Sequence, residues 1–318
     1  MENFSTYFDL PIHSHREIDF VDVPVDTDIE LFLDPTLIEV RSDSFSQWCS
    51  VGIDSFFGAV FQACTAENME ILRYLLDHSA EPNESHLGHS VSRSMGRGAS
   101  LGVLYPVFSE LIRQGLFLKG AVTAPNDICI LAPNFDKDRM SDLITNILCN
   151  QLSEFTITQC QKLGVPLDGI RWGYCWEEGD GTWARRRWQC PVAYGKPILL
   201  IPKEFVSRNY HLGTASYIQQ QLLAYLQREH LINRSPLCHQ RPLKDGSVKL
   251  TPPTKKELRH ADLAGIPGKQ AAASFACKHP DSLPRFNASR RARFIETDFS
   301  LSDYELDMLL YPDRFQTG

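Results

Sequence analysis

The sequence predicts a mixed α/β protein: a central sheet with flanking helices, then a basic, mainly helical C-terminal appendage. Three observations predict it. Apolar residues recur at helical spacing in four separate stretches. A region rich in tryptophan and arginine, between Gly169 and Phe205, is punctuated by turn residues at hairpin spacing. Beyond Ser235 the charge changes sign. Residues 240–293 hold twelve Lys or Arg against four acids, a net of +8, and 296–318 hold six acids against one Arg, a net of -5. The expected division is a main α/β domain over 1–235, a basic helical appendage over 236–295 and an acidic tail over 296–318.

The bulk numbers set outer bounds. With 318 residues, 43% hydrophobic and 22% charged, the chain has ordinary globular values and can bury a large core. A net charge of -7 argues against a surface built uniformly to coat nucleic acid. Nine cysteines, an odd number with no Cys-x-x-Cys pair, do not make a disulfide framework or a zinc knuckle. They read as reduced core residues of a cytoplasmic protein. The N-terminus carries no basic segment followed by an apolar run, so no signal peptide is expected. No apolar stretch approaches the roughly 18 residues of a membrane span, and no membrane partner is expected.

In chain order, residues 16–40 are rich in Val, Ile and Phe and broken by Asp and Pro. They predict short extended segments, with Pro24 and Pro35 opposing a helix. Residues 46–64 and 65–79 predict two helices, the second with Met69, Leu72, Leu75 and Leu76 on one face and Thr65 as its cap. A polar Gly/Ser loop over 81–102 precedes a helix from about Tyr105 to Gly115. "NDICILAP" (126–133) predicts a buried strand. One long helix is expected from Asp138 to Leu163, with Gly164 and Pro166 ending it. "EEGDG" between two Trp-rich runs predicts a hairpin, and Gly195–Lys196 a second hairpin turn. Residues 215–232 predict an amphipathic helix.

The candidate chemistry starts with "DKDRMSDLITNIL" (136–148). Asp138, Asp142 and Asn146 recur every four residues on one helical face. Two carboxylates and an amide supply part of an Mg²⁺ shell. The same aspartates also suit helix capping with a solvated face. Glu84 adds a third acid from a separate segment, and Lys203, at the end of an apolar run, suits stabilisation of developing charge.

Other candidates are basic. Arg93 and Arg97 in the glycine loop suit a phosphate, although the loop lacks a Lys-Ser/Thr ending. Trp183, Arg185 and Arg187 share one strand face, where rings stack on bases and guanidiniums hold phosphates. A core role for the tryptophans fits the pattern equally. Arg290, Arg291 and Arg293 form a compact cluster in the basic appendage, for which the acidic tail competes in cis.

Glu84, Asp138, Asp142 and Lys203 resemble part of the ingredient set of restriction-endonuclease-like nucleases, which place an acid-x-Lys on a strand. Lys203 departs from that pattern, because Ile201 stands two positions before it. The stretches "DTDIELFLDP", "NESHLGHS" with "GRG", "DRMSDLITNIL" and "KPILLIPK" together resemble uncharacterised proteins of bacterial mobile elements and anti-phage defence loci. That resemblance implies work on nucleic acid by association. The expected function is a metal-dependent nuclease or nucleic-acid-processing factor acting on DNA or RNA. The alternative is a non-catalytic binding or assembly subunit of a multi-protein defence complex.

Overall fold

A computed structural model describes residues 2–78, 83–88, 101–208, 213–297 and 299–315. Its helices are α1 (Phe4–Tyr7), α2 (Pro35–Glu39), α3 (Ser44–Thr65), α4 (Met69–Leu76), α5 (Leu101–Arg113), α6 (Pro125–Leu131), α7 (Lys137–Ile147), α8 (Cys149–Leu163), α9 (Thr214–Tyr217), α10 (Leu223–Ile232), α11 (Lys255–Ala261), α12 (Gly268–Lys278), α13 (Ser282–Glu296) and α14 (Asp303–Leu310). Its strands are β1 (Phe32–Leu33), β2 (Gly169–Glu177), β3 (Thr182–Cys190), β4 (Val192–Ala193), β5 (Lys196–Pro197), β6 (Val206–Ser207), β7 (His239–Pro242) and β8 (Val248–Thr251).

The mixed α/β class holds. In place of a central sheet, the described strands form four separate two-stranded antiparallel sheets: β1–β6, β2–β3, β4–β5 and β7–β8. No helix among the described residues is long and apolar enough to cross a membrane.

The chain divides into two units, neither of them continuous. Unit 1 comprises 1–109, 135–210 and 291–318, and unit 2 comprises 110–134 and 211–290. The boundaries expected near 235 and 295 do not coincide with these limits. Unit 2 carries 14 Lys or Arg against 7 acids, a net of +7, so against a chain total of -7 unit 1 carries -14. The acidic tail belongs to unit 1, where two of its acids are engaged. Lys203 Nζ donates to Asp303 Oδ1 at 2.6 Å, and Ser14 Oγ donates to Asp307 Oδ2 at 2.6 Å.

In unit 1, α7 buries Met140, Leu143, Ile144 and Ile147 completely. Ser141 Oγ accepts the Leu33 N–H at 3.0 Å, which pins β1 to this helix. The single long helix expected over 138–163 is two, α7 and α8, separated at Leu148 (φ -87°, ψ 14°). Leu148 is wholly buried, so packing rather than a breaker residue sets the break. Gly164 (φ 71°) ends α8 as expected.

Several local expectations are corrected. "NDICILAP" is helix α6 and not a strand. Pro125 occupies its first turn, and Asp127 Oδ2 accepts the Thr123 and Ala124 N–H groups at 2.8 and 2.9 Å. The helix is buried all round, so its apolar run carries no period to read. Pro35 starts α2 instead of opposing it, because the first helical turn needs no N–H from it. Thr65 ends α3, and Asn68 caps α4 by accepting the Ile71 N–H at 3.1 Å. The helix expected from Tyr105 begins four residues earlier, at Leu101. The second hairpin turns at Tyr194–Gly195, both at positive φ (51° and 75°), one residue before the expected pair. Residues 215–232 are helical as expected, with a π turn over Ile218–Leu222 joining α9 to α10.

Asp34 caps α2 with its Oδ1 accepting the Thr36 N–H at 2.9 Å. Burial pushes its carboxyl from 3.8 up to about 6, in spite of the Thr36 hydrogen bonding that opposes the rise. The folded chain therefore keeps this proton to higher pH than the unfolded chain does. Its contribution favours folding below pH 3.8 and is lost as pH rises through about 6. Asp34→Asn keeps a cap acceptor without the charge. It is expected to raise stability at pH 7 by up to about 3 kcal/mol, two pKa units at about 1.36 each. Urea melts across pH check this: the fall in stability between roughly pH 4 and 7 flattens in the variant, and an unchanged slope counts against burial as the cause.

Candidate nucleic-acid interface

The β2–β3 hairpin pairs from Gly169↔Cys190 to Glu177↔Thr182. Gly181 (φ 62°) closes the turn that "EEGDG" predicts, and its N–H donates to the Glu177 carbonyl at 2.9 Å. Strand alternation gives the hairpin two faces of different chemistry.

The inward face packs on α7 and α8. Cys175 and Trp188 form a small buried cluster with Cys149, and Ile157 packs against it. Arg171 also lies on this face and is only 7% exposed. Its Nε donates to Glu84 Oε1 at 3.0 Å, and its Nη1 to Cys149 Sγ at 2.7 Å. Burial pushes the Cys149 thiol up, and the Arg171 guanidinium offsets only part of that rise. Gly173 makes room for this group: a Cβ there would lie 3.4 Å from Arg171 Nη1 and 3.6 Å from Cys149 Sγ.

The outward face changes along its length. At the closed end Trp176 and Trp183 are buried under Phe56, with ring centroids 5.2 and 5.5 Å away. At the open end Ile170, Trp172 and Tyr174 face water opposite Gln189, Arg187 and Arg185. Trp172 is 56% exposed and has two guanidinium neighbours. Arg185 Cζ lies 4.9 Å and Arg187 Cζ 6.0 Å from its ring centroid. The His78 ring stacks on Tyr174 at 4.0 Å and 12°. The result is a platform of two rings and two cations, all side chains that bind flat anionic polymers.

The sequence candidates fare differently. Arg185 and Arg187 lie on this exposed platform. Trp183 does not: it is 6% exposed, and its Nε1 donates to the Leu75 carbonyl at 2.9 Å. It is a core side chain, because α3 and α4 cover the closed end. Trp172 is the ring that sequence reasoning left out of the site. Its signal was available in the register, since pairing outward from "EEGDG" sets it opposite Arg187.

The acids and Lys203 are placed as follows. Glu84 accepts from Arg171. Asp138 occupies the first turn of α7, and a Cβ on Gly88 would lie 3.1 Å from its Oδ1. The Glu84–Gly88 segment and Asp138 are thus brought together. Asp142 is half-buried, and its carbonyl accepts from Asn146 Nδ2 at 2.9 Å, which directs that buried amide along the helix. Lys203 is committed elsewhere, to Asp303 and to the His15 carbonyl at 2.6 Å. Among the described residues no three His, Cys, Asp or Glu side chains converge as a metal site. Arg93 and Arg97 lie outside the described residues. Arg290 packs over the Phe286 ring, Arg291 pairs with Glu39 at 2.5 Å, and Arg293 is exposed on α13.

No curated protein and no solved structure matches the chain. One family model does match, over residues 11–212, a stretch that contains the whole β2–β3 platform and makes up more than half of the chain. The chain belongs to the family described as Domain of unknown function (DUF8370).

Proposed function

We propose that this protein is a nucleic-acid-processing factor that holds single-stranded DNA or RNA on the outward face of β2–β3. The observation that carries the proposal is Trp172, an exposed ring beside Arg185 and Arg187. A large ring left in water costs free energy that a stacked base recovers, and the adjacent guanidiniums meet the phosphates on either side. Mg²⁺-dependent cleavage is a second reading. It is favoured by the approach of the Glu84–Gly88 segment to Asp138, and weakened by the engagement of Glu84 with Arg171 and of Lys203 with Asp303.

The test is fluorescence anisotropy with labelled single strands of mixed sequence. Trp172→Ala is expected to weaken binding by about 1–3 kcal/mol, the range for one lost base–ring stack. Its melting temperature stays that of the parent protein, because the ring is on the surface. Unchanged affinity in that variant sinks the proposal.

A further inference from the structure

The basic unit contains a second feature that the platform does not explain. Residues 241 to 249, the tip of the β7–β8 hairpin, are all exposed. A two-stranded ribbon without a covering core is marginal in water, yet this one is closely specified. Gly246 (φ 83°) turns it, Leu243 N–H donates to the Ser247 carbonyl at 2.8 Å, and His239 at its base meets Glu257 of α11 at 3.0 Å.

Its charges are arranged against its own stability. The register sets Arg241 directly opposite Lys249, and like charges facing each other across a ladder destabilise it. Lys244 adds a third cation at the tip. The one acid in the turn, Asp245, is turned onto Ser247, accepting its N–H at 3.0 Å and its Oγ–H at 2.6 Å. Among the described residues none of the three cations has an ion-pair partner within the chain. An external anion offsets the repulsion.

We infer that the β7–β8 hairpin is an arm that binds the phosphate backbone of a nucleic-acid duplex. Alternation puts Arg241 and Lys249 on one face and Pro242 and Val248 on the other, so the cations act together. A two-stranded ribbon has the width of a duplex major groove. The strands carry no Phe, Tyr or Trp on which unpaired bases would stack, so the arm suits duplex rather than single strand. The arm rests on the reading that this chain handles nucleic acid, and it adds a duplex contact separate from the Trp172 platform.

The experiment uses the full chain, with a labelled blunt duplex and a labelled single strand titrated across a salt series. The double variant Arg241→Gln with Lys249→Gln is expected to lower the duplex salt slope, log K against log salt, by about two, near 0.9 for each lost phosphate contact. Single-strand binding stays at the parental level. The hairpin lies outside the core and the variant removes a repulsion, so its thermal melt stays parental or rises. An unchanged duplex slope overturns the arm, as does a full chain that binds no duplex at low salt. Poly-L-glutamate that displaces the duplex at equal charge also overturns it, in favour of an acidic protein partner. If the double variant behaves as expected while Trp172→Ala leaves single-strand binding intact, the arm stands and the platform reading falls.

Discussion

Glu84→Ala is expected to destabilise unit 1 by about 2–3 kcal/mol, because it leaves the Arg171 guanidinium buried without its counter-charge. Arg171 is 7% exposed and reaches Glu84 at 3.0 Å. Breaking a fully buried ion pair typically costs about 3–5 kcal/mol, and the partial exposure of Glu84 reduces that. The other hydrogen-bond acceptor of Arg171, the Cys149 thiol, is weak and cannot replace a carboxylate. Glu84→Gln keeps an oxygen for the Arg171 Nε–H and is expected to lose less. Adding Arg171→Met to Glu84→Ala restores most of the loss, since an apolar side chain of similar length needs no counter-charge. Chemical denaturation of the four proteins reads all of this. A Glu84→Ala protein of parental stability that has lost Mg²⁺-dependent cleavage reverses the assignment and makes Glu84 a catalytic group.

Trp183→Ala has the larger expected effect, a loss of about 3–5 kcal/mol, as for a large aromatic removed from a core. Its ring lies 5.6 Å from Trp176 and 5.5 Å from Phe56, and its Nε1–H satisfies the Leu75 carbonyl. The substitution opens a cavity between α3, α4 and the hairpin and removes the indole donor from that carbonyl. Trp183→Phe retains the ring packing and loses only the hydrogen bond, about 1 kcal/mol. The comparison with Trp172→Ala separates core from platform on one face of the hairpin. The first variant melts early, and the second binds poorly while melting normally. A Trp183→Ala protein that melts normally but binds poorly would place the interface at the closed end of the hairpin instead.

How much of the site was legible varies with the kind of signal. The β2–β3 hairpin was readable because "EEGDG" fixes the turn, and the two-residue period then fixes which side chains share a face. That reading grouped Trp183 with Arg185 and Arg187 correctly. It did not tell which end of the face is covered, because α3 and α4 arrive from more than a hundred residues away in sequence. The helical stretches over 46–64 and 215–232 were readable from their apolar period. The stretch 126–133 was not, because burial on every side removes the period, and its Pro and Asp were the only local marks of a helix start.

The acids show the limit most clearly. Spacing alone put Asp138, Asp142 and Asn146 on one helical face, and that holds. Whether such a face meets solvent, a metal or protein depends on what packs against it. Here the Gly88 backbone approaches Asp138, and the Asn146 amide turns back onto its own helix. Partners such as Arg171 for Glu84 and Asp303 for Lys203 come from distant parts of the chain, and no local pattern encodes them.

The sequence by itself determined the element types with a clear period or a marked turn, the reversal of charge beyond Ser235 and the Trp/Arg composition of the hairpin. These are properties of neighbouring residues and of sums over residues. Only the tertiary structure decided that the strands stay in separate pairs, that the acidic tail is anchored in unit 1, and that Trp172 rather than Trp183 meets the solvent. Each of these depends on which distant segment excludes water from a given side chain, and burial is a property of the whole packed unit, not of the stretch that carries the residue.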